Sequence, residues 1–241
     1  MEFTVAAFNA HWGIGRFGDE RKVRYDVAEV VRGFNADIVV VPEAWRDDDG
    51  VSTVDALLDD GLHIETLELM PLARRTERNL DFVPRSGLWE IAIITRFPVL
   101  ARRDIPIGTL KSDPPGPRSA LALTLDLDGT HVEVIGVHTS SKVWRLAPVR
   151  HLLALEHAVE QNGPQIIAGD FNLWGPPVGA IFRGWKRPVR GRTYPGNRPH
   201  SQIDHILVRG GIDALSGEVL PRTPSDHRPV RARLRVAQAV S

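Results

Sequence analysis

Gln165-Ile166-Ile167-Ala168-Gly169-Asp170-Phe171-Asn172 is a short, mostly apolar run that ends at once in glycine, carboxylate and amide. The same layout recurs along the chain. Asn9 follows Phe3 to Phe8, Glu43 follows Ile38-Val39-Val40-Val41, and His138 closes Val132 to Val137. Asp204-His205 sits inside Ser201 to Leu207, and Ser225-Asp226-His227 precedes Arg228-Pro229-Val230. Apolar runs of four to eight residues read as buried strands. A polar group at the end of each is the pattern of one cleft assembled from strand termini.

Between these runs, Asp19 to Phe34 places Val23, Val27, Val30, Val31 and Phe34 at helical spacing and predicts a helix. Pro42 is expected to stop the strand over 37–41, leaving Glu43 just past it. Val51 to Asp60 predicts a second helix ending at Gly61, and residues 71–87 a long charged loop. Leu121 to Leu127 alternates, and Asp128-Gly129 suits a type I′ turn into His131 to Val137. A helix from Pro148 to about Gln161 turns Val149, Leu152, Leu155 and Val159 inward, before Asn162-Gly163-Pro164 ends it. Strands with a few helices between them predict two packed sheets covered by helices, in one domain over 1–241.

Composition narrows the class. The 42% hydrophobic and 25% charged content of the 241 residues is that of a soluble globular chain. No stretch is apolar for long enough to cross a bilayer. The absence of cysteine excludes disulfides and thiolate chemistry, and the opening residues lack a secretory pattern, so a cytoplasmic location is expected. No obligate protein partner is implied. Net charge is zero, which supplies no global pull towards nucleic acid. Charge is uneven, however: no acid lies between Asp170 and Asp204, where Arg183, Lys186, Arg187, Arg190, Arg192 and Arg198 cluster with Trp185 and Tyr194. That segment is either a phosphate-facing wall, with Arg187, Arg190 and Arg192 binding substrate, or a solvated loop.

The terminal polar groups match the needs of phosphate ester hydrolysis. A divalent cation neutralises the phosphoryl oxygens, and Mg²⁺ takes oxygen ligands. Asn9, Glu43 and Asp226 offer carboxylates and an amide, without the thiolates or histidine spacing of a zinc site. Asp170 and Asn172 share a face if extended, so the carboxylate can orient a water while the amide donates to a phosphoryl oxygen. Asp204 and His205 point to opposite sides of a strand. Asp204 is assigned to the cleft, where it orients His227 as a donor to developing negative charge. His138 is a second imidazole for phosphate or leaving group.

Phe8-Asn9, Pro42-Glu43, His138-Thr139, Gly169-Asp170-Phe171-Asn172, Ile203-Asp204-His205 and Ser225-Asp226-His227, in that order, resemble the endonuclease/exonuclease/phosphatase superfamily, the DNase I-like fold. The resemblance runs from Phe3 to about Val236. It implies a four-layer α/β/β/α sandwich of two packed mixed β-sheets flanked by helices, with the site at one edge. It also implies Mg²⁺ or Mn²⁺ on Asn9, Glu43 and Asp226, a water activated by Asp170, and a pentavalent phosphorus stabilised by Asn172 and the His227–Asp204 pair. His138 matches the family's other catalytic histidine. Arg118, in Arg118-Ser119-Ala120-Leu121, is a candidate phosphate contact or a structural ion pair.

Departures blur the substrate. Pro42 stands where many members carry glutamine, and the longer signatures of inositol polyphosphate 5-phosphatases and abasic-site endonucleases are missing. The expected activity is phosphodiester hydrolysis, with nucleic acid one candidate substrate and a small-molecule or lipid-headgroup phosphate the other. A calcineurin-like metallophosphoesterase needs an early Asp-x-His and a Gly-Asn-His, which do not occur. A non-catalytic binding module on the same fold would lack one of Glu43, Asp170, Asp204 or His227, and all are present.

Overall fold

A run buried on both faces needs no alternation, so the apolar runs become the inner strands of two sheets. The structure, a computed structural model, describes residues 1–17, 21–73, 86–108, 118–142, 146–160 and 162–237. In chain order the strands begin with β1 (Glu2–Ala7), β2 (Ile14–Phe17), β3 (Arg21–Arg24) and β4 (Ile38–Asp47). Next come β5 (His63–Ala73), β6 (Ser86–Thr95), β7 (Val99–Gly108), β8 (Arg118–Leu127) and β9 (Thr130–His138). The last are β10 (Gln165–Asp170), β11 (Asp204–Arg209), β12 (Ile212–Val219) and β13 (Val230–Val236). Helices are α1 (Val27–Arg32), α2 (Ala147–Ala158) and α3 (Gly175–Ile181).

One sheet runs β12-β13-β1-β4-β6-β5 and the other β11-β10-β9-β8-β7. Both are mixed, because β1 pairs parallel with β4 and β9 parallel with β10. Val5, Val40, Ile91 and Ile93 of the first sheet share a buried core with Leu121, Leu123, Val134 and Ile166 of the second. Gly136 sits at this contact: a Cβ there would lie 3.1 Å from Val40 Cγ1 and from Ile91 Cγ2. On the outer face of the first sheet, Val39 and Val41 are covered by Val27 and Val31 of α1 and by Leu57 of a 3-10 turn. On the outer face of the second, Ile135, Ile167 and Leu207 meet Leu152 and Leu155 of α2 and Val178 of α3. Burying each such leucine contributes about 2 kcal/mol. The expected α/β/β/α sandwich is the observed one. Among the described residues no helix is long and apolar enough to cross a membrane.

Several predicted elements take other forms. The helix expected over Asp19 to Phe34 is mostly not one: β2 and β3 form a hairpin, and the helix starts only at Val27. Asp26 sets that start, accepting the Glu29 N–H at 3.0 Å as its cap. Pro42 does not stop β4. It pairs with Ile91, and the strand continues through a bulge in which Glu43 takes φ 57°. The helix expected over 51–60 is a 3-10 turn at Asp55–Asp60, ended as anticipated by Gly61 in the left-handed region. Of the loop expected over 71–87, the outer residues belong to β5 and β6, and 74–85 lie outside the described residues. The β8–β9 hairpin turns through Asp128 and Gly129 at φ 52° and 85°, as a type I′ turn requires. α2 starts with Pro148 in its first turn and buries Leu152 and Leu155.

Candidate functional site

Ladder register brings half of the site together. His138 ends β9, Asp170 ends β10 and Asp204 begins β11, and Asp170 is paired directly with both neighbours. Gly169 makes the approach possible. Its φ is 139°, and a Cβ would fall 2.1 Å from the Val137 carbonyl oxygen. The chain then turns instead of staying extended, with Asn172 at φ 46°. Asn172 still meets Asp170: its backbone N–H donates to Oδ1 at 2.8 Å and its Nδ2 to Oδ2 at 3.3 Å. Nδ2 also donates to the Thr139 carbonyl at 3.0 Å. Both amide hydrogens of Asn172 are thus engaged within the protein, at Asp170 and at Thr139, while the residue lines the cleft.

The other half comes from the first sheet, through irregular backbone. Asn9 follows β1, and its Nδ2 donates to Glu43 Oε1 at 3.2 Å and to Asp170 Oδ2 at 3.0 Å, bridging the sheets. Its Oδ1 accepts the His11 N–H at 2.9 Å. Asp226 Oδ1 lies 3.6 Å from His11 Nδ1. Ser225 is buried and ties this rim together, donating to the Asn9 carbonyl at 2.7 Å and accepting the His227 N–H at 3.1 Å.

His227 Nδ1 donates to Asp204 Oδ2 at 2.9 Å, as expected, and its Nε2 lies 3.8 Å from Asp170 Oδ2. Burial alone would depress the imidazole, but Asp204 and Asp170 facing it lift it to about 10, so it is protonated at neutral pH. His138 is the opposite case. Burial, with Arg118 and His227 nearby, pushes it well below its ordinary value, so it is neutral. Its Nε2 lies 3.6 Å from Glu43 Oε1 and from Asp170 Oδ2. Burial raises Glu43 to about 8 against the pull of His227, and Asp170 to about 7 in the same way. His205, on the far side of β11, donates Nε2–H to the Leu173 carbonyl at 2.9 Å and packs on Phe171. Burial lowers it to about 4, which makes it the structural histidine of the pair.

Glu43, His138, Asp170, Asn172, Asp226 and His227 line a cleft of about 670 Å³. Its walls include aromatic residues that no apolar run announced. Trp12, at φ 57°, meets Trp89 edge-on at 6.1 Å, and Trp89 meets His138 at 5.0 Å. Tyr194 tilts over the His227 ring at 4.8 Å. Thr193 is buried and its Oγ1 accepts the Asp204 N–H at 3.3 Å, fixing where β11 starts. Arg118 lies in the wall, donates to the His138 carbonyl at 3.1 Å and stacks 5.3 Å from Trp89. The basic segment divides. Lys186 pairs with Asp213 and Trp185 is buried beneath Arg209, whereas Arg187, Arg190 and Arg192 border a recess beside the cleft.

The donor set fits a hard divalent cation. Glu43 and Asp170 face one another through a single amide, both carboxyls raised by burial, which a bound positive charge would relieve. Among the described residues, ligand atoms of Asp170, Asp204 and His227 also lie within 4.8 Å of one another. In that group the Asp204–His227 contact is already a hydrogen bond.

A sequence profile described as the Endonuclease/Exonuclease/phosphatase family matches residues 6–227. No curated protein matches the chain. Among solved structures, an endonuclease/exonuclease/phosphatase from Beutenbergia cavernae DSM 12333 is 23% identical with a TM-score of 0.75, covering 98% of this chain and 72% of its own. The mannosyl-6-phosphatase of Bacteroides thetaiotaomicron VPI-5482 is 19% identical with a TM-score of 0.65, covering 97% of this chain and 99% of its own. A humanized D. rerio TDP2 is 13% identical with a TM-score of 0.64, covering 98% of this chain and 99% of its own. At these identities the likeness establishes the fold.

Proposed function

The chain belongs to the endonuclease/exonuclease/phosphatase family, and on that premise we propose that it is a divalent-metal-dependent phosphoesterase, hydrolysing a phosphodiester by in-line attack of water. Residues 1–241 are read as one catalytic domain. The observation that carries the reading is the setting of Asp170. It is a buried carboxyl near neutrality, held by Asn9 and Asn172 and facing a protonated His227.

In this reading Asp170 takes the proton of the attacking water, a role suited to a group that titrates near the working pH. Asn172 and Asn9 fix its two oxygens. His227, held by Asp204, turns Nε2–H towards a phosphoryl oxygen, where its positive charge grows in value as negative charge develops. Neutral His138 offers Nε2 to the phosphate, and Arg118 holds that strand end from the wall. Asn9, Glu43 and Asp226 would hold Mg²⁺ or Mn²⁺, whose charge would let an anionic ester approach these carboxylates.

The purified protein is expected to hydrolyse bis(p-nitrophenyl) phosphate with Mg²⁺ or Mn²⁺, and to stop when chelator is added. Asp170→Ala should lower kcat about 10³-fold with its circular dichroism intact. Turnover that survives both treatments sinks the assignment.

A further inference from the structure

The recess beside the cleft holds cations without counter-charge. It has a volume of about 610 Å³ and is bordered by Arg187, Arg190, Arg192 and His200, with no acidic residue in its lining. Among the described residues none of the three arginines has a carboxylate partner within ion-pair distance, unlike Lys186, which pairs with Asp213 at 2.9 Å. Arg187 Nε is buried with no hydrogen-bond partner. Burial, and then the charge of Arg190, lower the Arg187 guanidinium from its ordinary value. Arg190 and Arg192 are exposed and Arg187 is half-buried, so the three like charges stand open to solvent and to an anion that would offset their mutual repulsion.

The recess is built, not merely lined. Arg187 lies flat against Gly175 and donates to its carbonyl at 2.7 Å; a Cβ on Gly175 would fall 2.3 Å from the guanidinium Nη2. Gln202 clamps the backbone on both sides of Arg190, donating to the Val189 carbonyl at 3.1 Å and accepting the Gly191 N–H at 3.3 Å. The recess and the cleft also share a wall. Trp174, His200 and Ser201 line both, and Trp174 is half exposed between them.

We propose that Arg187, Arg190 and Arg192 form a second anion subsite, which takes a phosphate carried by the same molecule as the phosphate bound at Asp170 and His227. The preferred substrate is therefore one with at least two phosphates, spaced across Trp174. This rests on the phosphoesterase reading above for the position of the first phosphate. Three arginines offer forked, charge-assisted hydrogen bonds that a lone diester leaves unused. The second phosphate could belong to a nucleotide or to a polyphosphorylated sugar.

The test compares two chromogenic esters that differ by one phosphate: p-nitrophenyl thymidine 5′-phosphate and its 3′-phosphorylated form. The 3′-phosphorylated ester should be preferred at least tenfold in kcat/KM, mainly through KM. Replacing Arg187, Arg190 and Arg192 by alanine should erase that ratio. Gly175→Ala, which leaves all three arginines present but displaces Arg187, should reduce it severalfold. Equal rates for the two esters in the parent protein, or a ratio that survives the triple variant, overturns the subsite. If neither ester is cleaved, the phosphoesterase reading fails by itself. The subsite is then judged by calorimetric binding of thymidine 3′,5′-bisphosphate, which the triple variant must weaken at least tenfold, and equal binding overturns it. Competition between that bisphosphate and fructose 1,6-bisphosphate distinguishes the two sources.

Discussion

The two sheets hold their shares of the site in different ways. On the second sheet, His138, Asp170 and Asp204 sit at paired positions of neighbouring strands, so ordinary ladder geometry fixes their spacing. On the first, Glu43 rides a bulge, and Asn9 leads into His11 and Trp12, both in left-handed backbone. Ladder positions are held by many backbone bonds at once. Irregular positions depend on a few side chains, here Asn9 and Ser225. Damage to the first kind should reach the fold, and damage to the second should stay at the site.

Gly169→Ala tests the ladder side most severely. Its Cβ has no space beside the Val137 carbonyl, so a loss of at least about 3 kcal/mol is expected, read as a fall in Tm with turnover lost in parallel. A variant of unchanged Tm would erase the contrast between the sheets.

His205 gives the ladder side a pH signature. It is held near 4 in the folded chain by burial, against an ordinary value of 6.5. Its contribution is complete above 6.5 and is lost as pH falls from there towards 4, roughly 3 kcal/mol in all. Urea midpoints of the parent and of His205→Gln, measured between pH 7 and 4.5, should converge as pH falls. Parallel curves would mean that the histidine accepts its proton without penalty.

Ser225→Ala probes the irregular side and should show the smallest effect. Two hydrogen bonds go, at about 1–2 kcal/mol, while kcat drops about tenfold because Asn9 and His227 lose their common tie. Should stability collapse instead, the first-sheet half is as deeply built in as the other.

The inner strands could be read from the sequence because burial on both faces leaves an uninterrupted apolar run, as in Ile38 to Val41. Strands β5, β7 and β12 could not. They are sheet edges, and most of β12 is exposed, so their residues mix charge with apolar side chains as edge strands do. The helix expected from Asp19 failed because regular apolar spacing outweighed a better local signal, the cap Asp26 with Glu29 three residues on. The polar residues at strand ends converge as anticipated. Thr193 and Trp12 carry no signal in the sequence, and Tyr194 and Ser225 stand out there only through their neighbours, because each sits in a loop or a one-turn 3-10 segment where no periodicity marks a residue as facing anything.

Gly136 gives the sandwich its gauge. Val40 lies three residues before Glu43 on one side of that contact, and His138 lies two residues after Gly136 on the other. A methyl group there would act as a wedge, widening the jaw in which Glu43 and Asp170 share one amide. The jaw thus resists opening, and under the phosphoesterase reading accommodation of differently shaped esters falls to the rim, where Trp174 is half exposed, whereas Tyr194 packs on His227 and is part of the floor.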